Sequence, residues 1–110
     1  IGNTRWKYLD FANIYFAQGN HKPCNDFITA FVQTVDEHSE AGKELKKEFD
    51  EVYSKRLEIE KAVEDKVKGM GYLERKDFED TAKTEVEVDT LQSLKGVCWR
   101  ISLKYGLFFE

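Results

Sequence analysis

A single proline, two cysteines and seven scattered glycines in 110 residues remove several classes of protein at once. Cys24 and Cys98 stand far apart with no close pair, so neither a zinc-ribbon spacing nor a disulfide framework is present. The glycines build no phosphate loop, nucleophile elbow or dinucleotide fingerprint, and no motif calls for a cofactor. A positive excess is missing too. Seventeen Lys and Arg face 21 Asp and Glu, and the resulting formal charge of -4 argues against general polyanion binding, which draws its affinity from counterion release. No apolar run approaches the ~18 residues of a membrane span, and no basic region followed by an apolar run marks a secretory signal. These absences predict a soluble, cytoplasmic protein that does not engage a membrane.

Fifteen aromatics, comprising eight Phe, five Tyr and two Trp, exclude a disordered or fibrous chain. The length suits one domain over residues 1–110, burying roughly two thirds of the surface that the unfolded chain exposes. From Val97 to Phe109 every odd position is apolar, the period of a strand buried on one face. Thr84 to Thr90 alternates likewise, with Val86 and Val88 on one side and Glu85, Glu87 and Asp89 on the other. A hairpin of strands 84–91 and 97–105 follows, closed by Ser93-Leu94-Lys95-Gly96 with Gly96 at positive φ. That register sets Asp89 opposite Arg100 and Glu85 opposite Lys104. The expected fold class is therefore α+β, with a helical N-terminal two thirds packed on a C-terminal antiparallel hairpin.

Four helical segments fit upstream, at about 4–18, 23–37, 40–68 and, more weakly, 73–82. The first is apolar on nearly every side and must be covered on most of them. Pro23 suits the first position of the second, where Cys24, Phe27, Ile28, Phe31, Val35 and His38 recur at helical spacing. Ser39 reads as the N-cap of the third and Gly69 as its stop. Its apolar seam steps by four and three through Leu45, Phe49, Val52, Ile59, Val63 and Met70, with Arg56 and Lys66 at the intervening positions. Some thirty residues make a helix of about 45 Å, longer than the roughly 34 Å diameter of a compact domain of this size. The helix must overhang, bend near Gly42 or meet a partner, and charge on its seam favours a partly open surface.

For function, the overhang and the lack of catalytic motifs point to a small non-enzymatic protein-interaction or assembly module, self-associating, as a homodimer for example, through the long helix, the hairpin edge or both. The candidate surface comprises Phe49, Val52, Arg56, Ile59 and Val63 on the long helix with Arg100 and Lys104 on the hairpin. Two alternatives come from other classes. A short helix followed by a hairpin has the order of the last part of a winged-helix domain. Arg75, Lys76, Arg100 and Lys104 would then touch nucleic acid, although Glu74, Asp77, Glu79 and Asp80 crowd the basic pair. A small enzyme would use His21 and Cys24, three residues apart near a helix N-terminus that lowers a thiol pKa. A metal site is not expected, because His38 lies some 20 Å along the helix from Cys24.

Overall fold

A computed structural model describes residues 5–109, and of Phe109 the backbone alone. It contains four α-helices, α1 (Arg5–Ala17), α2 (His21–Gln33), α3 (Glu40–Val67) and α4 (Tyr72–Tyr105), followed by a 3₁₀ turn, Leu107–Phe109. Among the described residues there is no strand. The expected α+β class is thus corrected to all-α. The segments 84–91 and 97–105, and the loop proposed between them, are consecutive turns of α4. The expected start of the first helix at Thr4 lies outside the described residues.

The local chemistry of each boundary is visible. α1 ends in a Schellman motif: Gly19 takes a left-handed φ of 78°, its N–H donates to Phe16 O, and Asn20 N–H donates to Tyr15 O at 2.9 Å. Ser39 caps α3 as its sequence position predicts, accepting from Gly42 N–H at 3.1 Å while its own hydroxyl donates to Asp36 O at 2.6 Å. Here α3 presses so closely on the preceding loop that a Cβ on Gly42 would stand 2.0 Å from Asp36 O. α4 closes at Gly106, φ 65°, whose N–H returns to Ser102 O.

α1 pairs with α2, and this short hairpin lies across the C-terminal half of α4 and the first turns of α3. Leu9, Ile28, Phe31, Leu45, Leu94 and Ile101 are its most deeply buried large side chains, each contributing about 1.5–3 kcal/mol by leaving water. Arg5 binds the ends together. Its guanidinium donates to Thr34 Oγ1 at 3.0 Å, to Thr34 O at 2.8 Å and to Leu107 O at 3.1 Å, satisfying carbonyls where α2 and α4 run out.

The long α3/α4 pair outruns this core. At 1.5 Å per residue α3 is about 42 Å long and α4 about 51 Å, and the molecule measures 55 × 27 × 17 Å. Of the alternatives of overhang, bend near Gly42 or partner, the structure shows the overhang, and α3 passes through it unbroken. No residue from 53 to 66 or from 71 to 85 is buried, so half of α3 and about two fifths of α4 form a two-helix arm in which each helix leans mainly on the other.

Candidate interaction surface

Pairing of α3 with α4 is fixed by small and β-branched residues on a seam, and by ion pairs along one flank. On α4 the seam runs through Ala82, Val86, Thr90 and Val97, at steps of four, four and seven. On the flank, Arg100 Nη2 binds Glu48 Oε1. One turn on, Lys104 Nζ lies 3.0 Å from Glu44 Oε1, and the Tyr105 hydroxyl donates to Glu44 Oε2 at 2.6 Å. The Tyr105 and Lys104 hydrogen bonds hold the Glu44 carboxyl below its usual range. Arg100 and Lys104 therefore neutralise α3 acids, where the hairpin register had matched them to Asp89 and Glu85.

Of the seam residues predicted on α3, Val52, Ile59 and Val63 line grooves shared with α4, whereas Phe49 lines a separate groove with Val32 and Val35 of the α2 end. Phe49 is half-buried and meets Tyr53 edge-on at 6.5 Å. Val52 and Ile59 line a groove of about 500 Å³ on the Arg100 side, opened by the missing side chain of Gly96. Val63 lines a second groove of about 480 Å³ on the opposite side, with Ala82 and Val86 as its apolar floor. Arg56 spans both, and its Nε donates to Glu60 Oε1 at 2.9 Å. Lys66 does not occupy the seam. Val67 is the buried residue there, and Lys66 reaches over the Phe78 ring at 5.1 Å; a straight helix of 3.6 residues per turn drifts off a strict four-three step.

At the foot of the arm a smaller socket of about 240 Å³ opens between Tyr53, Leu91, Leu94 and the α2 residues Lys22 and Asn25. It shares Arg56 and Glu87 with the second groove. At the far end of the arm, Tyr72 and Leu73 are 79% and 77% exposed. Neither socket nor tip was found from the sequence. The signal was there in the sevenfold step Leu73, Asp80, Glu87, Leu94, which puts the tip leucine on the helix face that docks α2.

His21 and Cys24 sit one turn apart at the start of α2, but their environments diverge. His21 Nδ1 lies 3.5 Å from Glu87 Oε2. Cys24 is fully buried, and desolvation pushes its thiol pKa up against the opposing charge of Lys95, which lies over the Phe16 ring at 3.9 Å. Burial and an upward pKa both disfavour thiolate. Cys98 is likewise buried and free, its pKa raised to about 12. The wing proposed for nucleic-acid contact has no counterpart among the described residues, and Arg75 binds Glu79 at 3.0 Å. Among the described residues no three His, Cys, Asp or Glu side chains group to hold a metal, and no helix is long and apolar enough to cross a membrane.

Comparison of the chain with known protein families, with curated proteins and with solved structures returns no match.

Proposed function

We propose that the chain is a non-enzymatic helical interaction module whose working element is the α3/α4 arm. The observation that carries this is the division of burial. The tertiary cover supplied by α1 and α2 falls on one half of the long helices, while in the other half Val67 alone is buried and Val63, Phe78 and Ala82 are covered only in part, by the facing helix. A two-helix extension of about 21 Å adds little core. It also leaves Leu57 59% exposed and Ile59, in the wall of an open groove, 44% exposed. Scattered exposed leucines are ordinary, but a projecting pair of helices with grooves on both sides offers a ready helix-binding surface.

Shortening tests this. Removing residues 58–64 together with 76–82 takes one heptad from each helix and keeps the facing register. On this proposal the shortened chain folds with the body intact, its Tm within a few degrees of the parent. Collapse of the fold on shortening would make the arm a structural requirement and overturn the proposal.

A further inference from the structure

We propose that the socket at the foot of the arm binds a small organic anion, a monocarboxylate carrying an apolar ring. The inference goes beyond the interaction role of the arm and does not depend on it. Three helices meet at this space of about 240 Å³, and α2 and α3 each give it a pair of polar side chains three residues apart: Lys22 with Asn25, and Tyr53 with Arg56. The feature that calls for a ligand is on α4. Thr90 is only 6% exposed and lines the socket, yet no hydrogen bond joins its hydroxyl to another described residue. Thr29 and Thr84, by contrast, donate to carbonyls of their own helices at 3.0 and 3.1 Å. A buried hydroxyl without a partner costs free energy, and a ligand oxygen in the socket removes that cost.

The rest of the lining fixes the sign and size of that ligand. Lys22 and Arg56 set two cations against the single carboxylate of Glu87, which itself lies 3.5 Å from His21 Nδ1. The larger groove that Thr90 also borders instead balances three acids with three bases and favours neither sign. Lys22 makes no ion pair among the described residues, and Arg56 gives its Nε–H to Glu60 Oε1, which leaves both terminal nitrogens for a forked contact with a carboxylate. The Asn25 amide and the Tyr53 hydroxyl add neutral donors. α2 begins at this wall with no side-chain cap and no acid in its first turn, so its dipole adds further positive potential. One net positive charge suits a carboxylate better than a phosphate dianion. Leu91 and Leu94, both buried, form an apolar base. An apolar cavity of about 150 Å³ takes a benzene ring, so the socket has room for a ring and its carboxylate.

Proton–nitrogen correlation spectra of the full chain titrated with benzoate test the site, with benzamide as the neutral isostere, benzylamine as the cation and inorganic phosphate as the dianion. Benzoate should saturate at about millimolar concentration, as suits a ligand of its size, and should move the amides of Asn25, Thr90 and Leu91. The other three should bind at least about tenfold more weakly. Lys22→Gln and Thr90→Val, with folding checked by circular dichroism, should each weaken benzoate at least about threefold, and Lys47→Gln, at an exposed lysine away from the socket, should leave it unchanged. Any of the three controls matching benzoate overturns the proposal, as do shifts that spread over the surface without saturating, or a Lys22→Gln chain with the parent's affinity. None of the socket residues falls in the segments removed from the shortened arm, so this reading and that of the arm stand or fall separately.

Discussion

Replacing Gly96 with alanine should stabilise the folded chain by about 0.5–1 kcal/mol, the difference between the two residues inside a helix. Gly96 lies within α4 on the face of the 500 Å³ groove, and among the described residues only Gly19 and Gly106 have positive φ. A Cβ added there meets no atom within 4 Å, so no packing loss offsets the reduced freedom of the unfolded chain. In a domain of this size the gain corresponds to roughly 2–5 °C in Tm. Urea unfolding followed by circular dichroism should show a higher midpoint with unchanged slope. Had Gly96 closed a hairpin loop in the left-handed region, alanine would be strained there and the midpoint would fall. A lower midpoint therefore refutes an unbroken α4.

The other glycine inside a helix behaves oppositely. At Gly42 an added methyl must displace backbone at Asp36 and Glu37, and Gly42→Ala should cost about 1–3 kcal/mol despite the better helix propensity, visible as a lower urea midpoint. Arg5→Ala removes the three hydrogen bonds described between this forked cation and Thr34 and Leu107 and should cost about 1.5–3 kcal/mol, and Arg5→Lys should recover less than half of it because an ammonium cannot hold both helix ends; calorimetry of both variants decides. Cys98 makes stability fall in alkali. Its folded pKa of about 12 exceeds the unfolded value of 9.0, so the folded state keeps a proton that the unfolded chain releases. The contribution is complete below pH 9 and shrinks by about 1.4 kcal/mol per pH unit up to about 12. Cys98→Ala should be less stable at neutral pH and show a shallower alkaline decline, and parallel profiles for parent and variant would contradict this.

Helices α1 to α3 were legible because their signals are local: Ser39 supplies a cap, Gly19 a left-handed stop, and the α3 seam a repeated apolar step. The C-terminal third was not, because it carries two periods at once. Val97, Trp99, Ile101, Leu103 and Tyr105 alternate like a strand, yet Leu91, Leu94, Cys98, Ile101 and Tyr105 also recur at three and four. What decides between them is burial. Leu103, essential to the strand face, is 67% exposed, whereas Cys98 and Ser102, assigned to the polar face, are completely buried. Valine and threonine favour strands only weakly, and packing along α3 overrides them. Charge pairing misled for a related reason. Arg100 and Lys104 do pair with acids four residues apart, but those acids are Glu48 and Glu44 on another helix. The socket and tip stayed hidden because they exist only once α4 runs through without interruption.

The projection of the arm beyond the body is measured most directly by small-angle X-ray scattering of dilute, single-copy protein. The structure has a Cα radius of gyration of 16.4 Å and a long axis of 55 Å, against about 13 Å for a compact domain of the same length. A measured radius near 16–17 Å with a long tail in the distance distribution is the predicted result. A radius near 13 Å with a symmetric distribution would mean that the long helices fold back, and the arm with its tip and socket would not exist.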